Sequence, residues 1–184
     1  MGSSFDITKL TPFLIFILGV LFSPIIESIK ESFKSKRLKE LVISSLNDEL
    51  DNTSEAIKYT IQTIELLRAE GVSPVRLHSP INITILEKYF IDIYPSLTKD
   101  QRKCLNSIIL HHKTATEKYE TALTNWQIIS SKGLIRGLKS MLNSLIIMDY
   151  YIYELSEKKD SYKHSIDGEK IKNSVLARYE INFP

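Results

Sequence analysis

The chain has 184 residues, of which 43% are hydrophobic and 25% charged, a composition typical of one globular domain and too apolar for a disordered protein. Its single cysteine excludes a disulfide framework and any zinc or iron–sulfur site that needs several cysteines. The formal charge of +2 is too small to favour nucleic-acid binding, so no nucleic-acid partner is expected.

One dense apolar run lies near the N-terminus, between Leu10 and Ile26, where no side chain is charged. As a helix, these 17 residues would rise about 25 Å, close to the ~30 Å thickness of a hydrocarbon core. The run extends to Ile29 if Glu27 lies at the level of the lipid headgroups. We therefore predict a single transmembrane helix over residues 10–29, preceded by a short extracytoplasmic arm, residues 1–9.

Two other interpretations of this run fit its residues less well. A cleaved signal peptide would need a basic N-terminal region and a small-residue cleavage site, but only Lys9 precedes the run and residues 22–26 offer no such site. A buried core helix would be apolar on one side, whereas this run is apolar on every face. The membrane span is the interpretation that we favour.

Positively charged side chains follow the predicted span and form what we call the basic collar. Its members are Lys30, Lys34, Lys36, Arg37 and Lys39. Because Lys and Arg near a span stay in the cytoplasm, we predict an external N-terminus and a cytoplasmic C-terminal domain. The collar is expected to contact lipid headgroups, since a nucleic-acid patch would need more interleaved aromatics than Phe33 alone. The Ile, Lys and Asn content is typical of the AT-rich coding regions of bacterial mobile islands, and the membrane expected is the bacterial inner membrane.

Residues 30–70 are predicted to form the collar and one long amphipathic helix that ends before Gly71. A coiled-coil-like apolar stripe follows it at helical spacing: Leu38, Val42, Leu46, Leu50, Thr53, Ile57, Ile61 and Ile64. A bundle that starts near residue 84 is not expected to reach back over the first part of this stripe. We therefore predict a homo-oligomer whose contact includes Leu38, Val42 and Leu46.

Helical periodicity continues through residues 83–158, which are predicted to form the bundle. Thr84 with Glu87, and Thr98 with Gln101, have the spacing of capping boxes that open helices. This periodicity is broken near residues 130–133, and a further helix is predicted after the break. The fold class predicted is all-α, with one N-terminal transmembrane helix continuing into a cytoplasmic bundle of about four helices.

The remaining residues, 159–184, read as a polar C-terminal tail. Asp167 has the position of an N-cap for a short helix over residues 170–179. The sequence shows neither a strand pattern nor an internal repeat.

Motifs of known catalytic chemistry do not emerge. His111 and His112 are adjacent, so on a helix their side chains point about 100° apart and cannot share a metal ion. Arg102 and His111 lack the spacing of the Arg–His pair in helical ribonucleases, and no phosphate loop or nucleophile elbow occurs. We expect a protein that is not an enzyme, with no catalytic residue, metal or cofactor.

Asp149 stands out because it interrupts an apolar stretch of the last long helix. A buried carboxylate is costly unless it is paired or hydrogen-bonded, so a structural partner such as Tyr, His or Lys is expected. The alternative is contact with a ligand or partner. That site would comprise Asp149, Tyr150, Tyr151 and Tyr153.

The first functional hypothesis is a single-pass, membrane-anchored helical protein that self-associates and binds a cytoplasmic partner, either a protein or a small-molecule signal. The alternative is an oligomeric, membrane-perturbing effector of the phage-defence or toxin type, triggered by a ligand or partner that the bundle senses. A further alternative is an enzyme with no legible motif.

Overall fold

The computed structural model describes residues 7–70 and 76–181, without the side chains of residues 7–10, 12–14 and 70. The predicted all-α class is confirmed, since no strand occurs within these ranges. The helices are α1 (Ile7–Asp48), α2 (Leu50–Glu70), α3 (Thr84–Ile93), α4 (Lys99–Asn125), α5 (Ser131–Lys158) and α6 (Gly168–Arg178). Two single 3-10 turns, Tyr94–Ser96 and Lys159–Ser161, follow α3 and α5.

The helix predicted over residues 30–70 is not continuous, because it is interrupted at Glu49 between α1 and α2. The Glu49 carboxylate accepts hydrogen bonds from the Asn52 side chain over 2.9 Å and from the backbone N–H of Asn82 over 3.2 Å. These bonds tie the junction to the segment before α3. The predicted stop at Gly71 lies outside the described residues, although α2 does end at Glu70.

Local capping chemistry sets where three of the helices begin. The capping box of α4 is confirmed: the Gln101 N–H donates to Thr98 Oγ1 over 3.2 Å, and the Thr98 N–H donates to Gln101 Oε1 over 2.8 Å. Asp167 caps α6 by accepting from the Lys170 N–H over 3.1 Å, also as predicted. Ser130 caps α5 through the N–H of Gly133.

The capping box predicted at Thr84 and Glu87 is wrong, although α3 does begin at Thr84. The Thr84 N–H donates instead to Asn82 Oδ1 over 2.9 Å, and no side chain caps this helix. In a capping box the Thr84 N–H would donate to the Glu87 side chain. Asn82, two residues before Thr84, accepts this hydrogen bond instead.

Helix α5 is central to the bundle and packs against α4, α2, α6 and α1. Its buried face carries a continuous apolar stripe: Leu138, Met141, Leu142, Leu145, Met148, Ile152 and Leu155. Ile57 and Ile64 of α2, with Leu105 and Ile108 of α4, complete the core around it. Trp126, at the end of α4, is only partly buried against this core.

The stripe of α1 predicted to face a second subunit lies inside the chain's own core. Val42 and Leu46 are buried and Leu38 packs beside them, half-buried. The expectation that the bundle does not reach back over the first part of this stripe is wrong, because α3, the following 3-10 turn and α5 all contact α1. Bonds from Ser35 Oγ to the Asp92 carbonyl and from Lys39 Nζ to the Ser96 carbonyl join α1 to this region. These three residues therefore present little free surface to a second copy.

Candidate functional site

The imidazoles of α4 have separate structural partners. His112 Nε2 lies 2.9 Å from the Ile81 carbonyl oxygen, and His111 Nδ1 lies 3.4 Å from Ser144 Oγ. Burial lowers the pKa of His111, which favours its neutral form. Over the described parts of the chain, no group of His, Cys, Asp and Glu side chains could hold a metal ion.

Asp149 is fully buried in α5, and both of its carboxylate oxygens are bonded by the C-terminal segment. Arg178 Nη1 donates to Oδ1 over 2.6 Å, and the Tyr179 hydroxyl donates to Oδ2 over 2.6 Å. Burial raises the pKa of Asp149 to about 6, against the opposing effects of the Tyr179 bond and the Arg178 charge. A tyrosine partner was expected, whereas the arginine was not.

Arg178 also lies over the ring of Tyr153, with its guanidinium carbon 3.6 Å from the ring centroid. Asp149, Tyr153, Arg178 and Tyr179 form a unit that we call the α6 clasp. Tyr150 and Tyr151 beside it are buried, and the Tyr151 hydroxyl donates to the Ser165 carbonyl over 2.9 Å. The surface predicted for a ligand or partner at Asp149, Tyr150, Tyr151 and Tyr153 is therefore covered by the chain's own residues 165–179.

Exposed apolar surface is concentrated in the first half of α1. Of the 19 large hydrophobic side chains exposed among the described residues, nine lie in residues 15–29, which we call the apolar segment. They are Ile15, Phe16, Leu18, Val20, Leu21, Phe22, Ile25, Ile26 and Ile29. At about 100° per residue these positions point in all directions around the helix, so no single neighbouring helix could cover them.

Within the described residues, we find no helix with a stretch both long and apolar enough to cross a bilayer. The predicted span, residues 10–29, includes residues 10 and 12–14, whose side chains lie outside the described part of the chain.

The basic collar divides into two faces of α1. Lys30, Lys34 and Arg37 are exposed, and Lys34 also borders a groove against Ile91 and Asp92 of α3. Lys39 points inward: its side chain is 12% exposed, pairs with Asp160 and donates to the Ser96 carbonyl. Lys36 lines the groove between α1 and Asp160. The prediction that Lys39 lies at the membrane interface is therefore corrected, since this lysine joins α1 to the end of α5.

Comparisons of the chain with protein-family models, with curated proteins and with solved structures give no match.

Proposed function

We propose that the protein is a single-pass, membrane-anchored helical protein whose α1 inserts into the bacterial inner membrane. In this proposal the helical bundle lies in the cytoplasm, where it meets a protein or small-molecule partner. The observation that carries the proposal is the apolar segment, with nine exposed large hydrophobic side chains around one helix. Contiguous exposed apolar surface marks a membrane or protein interface, because water solvates it poorly.

The direction of insertion follows from the exposed part of the collar. Lys30, Lys34, Lys36 and Arg37 come directly after the apolar segment and remain exposed. Positive charge next to a span is retained on the cytoplasmic side, which supports a cytoplasmic bundle.

Self-association belongs to this proposal through the apolar segment rather than through Val42 and Leu46. Gly19 lies exposed within this segment, and a residue without a side chain lets two membrane helices approach closely. A non-enzymatic role is supported by the structural partners of Asp149, His111 and His112, each of which bonds a group of this chain.

Membrane fractionation of the full chain tests the anchor. We expect the wild type to stay in membranes after an alkaline carbonate wash. The double variant Leu18→Arg/Leu21→Arg should be released, since each Arg at a helix centre costs about 2.5–3.5 kcal/mol of insertion free energy. The matched control is Leu110→Arg/Leu123→Arg on α4, because Leu21 and Leu110 are both 62% exposed. This control should stay in the membrane.

Release of the wild type, or equal retention of the two double variants, would contradict the anchor. A dye-leakage assay on vesicles holding the wild type separates the anchor from the membrane-perturbing effector. The anchor predicts no leakage above that of protein-free vesicles, whereas the effector predicts leakage that grows with the amount of inserted chain.

A further inference from the structure

The exposed part of the basic collar forms a continuous stripe on α1. Lys30, Lys34 and Arg37 are spaced by four and three residues, so they lie on one side of the helix. Phe33 and Leu41 fall on the same side and are 66% and 47% exposed. We call these five residues the outer face. The buried residues Val42 and Leu46 lie on the other side of the helix, and all five side chains of the outer face remain exposed, although Lys34 borders the groove between α1 and α3.

The three cations of the outer face have no ion-pair partner in the part of the chain that the structure describes. Glu27, Glu31 and Glu40 each lie three residues from one of these cations, but no ion pair joins them within the described ranges, and the five basic and three acidic side chains of residues 27–40 leave a net charge of +2. Three cations without an ion-pair partner among the described residues therefore lie on one side of α1. This arrangement favours an anionic partner.

The position of the outer face indicates which anion it meets. Lys30 follows Ile29, the last side chain of the apolar segment, without a break in α1. From Lys30 to Arg37 the helix rises about 10 Å, similar to the ~5–8 Å depth of one headgroup layer. Phe33 lies between Lys30 and Lys34 in the sequence and adds an apolar side chain to the cations where the helix leaves the apolar segment.

We propose that the outer face binds the phosphate groups of anionic phospholipids. This inference rests on the proposed anchoring and names the lipid class that the anchor prefers. Lys39 takes no part in it, because its ammonium group pairs with Asp160. Lys30, Lys34 and Arg37 together bind lipid phosphates, and Phe33 lies at the boundary between the headgroups and the acyl chains.

Lipid retention by the purified full chain tests the inference. The chain in neutral detergent is incubated with an equimolar mixture of phosphatidylglycerol and phosphatidylcholine, repurified, and its retained lipids are quantified. We expect the wild type to be enriched in phosphatidylglycerol by about tenfold or more, since each basic side chain contributes about 1 kcal/mol against anionic lipid. The variant Lys30→Gln/Lys34→Gln/Arg37→Gln should retain the two lipids almost equally.

The chain offers a matched control with the same three charges at the same spacing. Lys132, Arg136 and Lys139 are exposed on α5 and lie about 30 Å along that helix from the end that contacts α1. The variant Lys132→Gln/Arg136→Gln/Lys139→Gln should keep the wild-type enrichment. Raising salt from about 0.1 M to about 1 M should reduce that enrichment, because screening shortens the reach of exposed charges. Excess inorganic phosphate should not displace the lipid.

Equal retention of both lipids by the wild type would overturn the inference, as would equal losses in the two triple variants or displacement by inorganic phosphate. The carbonate wash is run on the membranes of the same cells before they are solubilised in detergent. A chain that stays in washed membranes without lipid preference contradicts the headgroup site alone, whereas a chain that is washed out contradicts the anchoring as well.

Discussion

Arg178 bonds the fully buried carboxylate of Asp149 over 2.6 Å, across 29 residues of chain. The neighbouring Tyr179 bonds the second carboxylate oxygen, so the end of α6 satisfies the one charged group in the middle of α5. Ile171 and Val175 of α6 are also buried. The segment predicted as a polar tail therefore carries a helix that completes the core, and the α6 clasp joins it to the bundle.

Removal of the guanidinium should destabilise the bundle strongly. We expect Arg178→Met to lower the free energy of unfolding by about 3–5 kcal/mol at neutral pH, because it leaves an uncompensated buried charge. Urea denaturation followed by circular dichroism measures this change. Lys170→Met, an exposed position on the same helix, should stay within about 0.5 kcal/mol of the wild type.

The double variant Asp149→Leu/Arg178→Met provides the second arm of this test. Because it removes both partners and leaves no unpaired charge, it should be more stable than Arg178→Met alone. A loss below about 1 kcal/mol in the single variant, or no recovery in the double variant, would contradict the role assigned to the clasp.

The titration of Asp149 should give the stability a specific pH dependence. Burial raises its pKa from 3.8 to about 6, so between these values the folded chain binds the proton more tightly than the unfolded chain does. The contribution of Asp149 to stability is therefore full at low pH and falls as the pH rises through about 6. Relative to Asp149→Asn, which cannot titrate, the wild type should lose stability over this range. A constant or opposite difference would contradict this assignment.

Local features of the fold could be predicted from the sequence, because their determinants lie within a few residues. Thr98 and Gln101 form their capping box within one turn, and Asp167 reaches an amide three residues ahead. The same signature failed at Thr84 because Asn82, also local, competes for the amide.

Features that depend on distant parts of the chain could not be predicted in the same way. The sequence indicated that Asp149 needs a partner, but no spacing rule points to Arg178, which the fold brings there from another helix. The burial of Val42 depends on how α3 and α5 return to α1, and helix lengths alone do not determine this packing.

Val42 and its neighbour Leu41 provide a comparison between the two sides of α1. We expect Val42→Glu to destabilise the bundle by about 4 kcal/mol or more, since it places a carboxylate in the core. Leu41→Glu, at an exposed position, should change the stability by no more than about 1 kcal/mol. Urea denaturation and light scattering report stability and oligomeric state. If Val42→Glu were folded but dissociated from an oligomer into monomers, the result would support the subunit contact predicted from the stripe and contradict the burial of Val42 in the chain's own core.

The two threonines with capping-box spacing should respond differently to the same substitution. Thr98→Ala removes an observed cap and should cost about 1 kcal/mol of stability. Thr84→Ala should cost clearly less, because the Thr84 side chain caps no helix. Thermal denaturation of the two variants compares them directly, and equal losses would show that the cap at Thr98 contributes nothing specific.

The central claim, an inserted α1 with a cytoplasmic bundle, is tested most directly by thiol labelling of Ile166→Cys in spheroplasts. Ile166 is 87% exposed, while the native Cys104 is fully buried and its pKa is raised by burial to about 12, so it should not react. We predict that a membrane-impermeant maleimide labels Ile166→Cys only after the membrane is permeabilised, with the chain retained in carbonate-washed membranes. Labelling of intact spheroplasts would contradict the orientation, and a chain recovered in the carbonate supernatant would contradict the anchor.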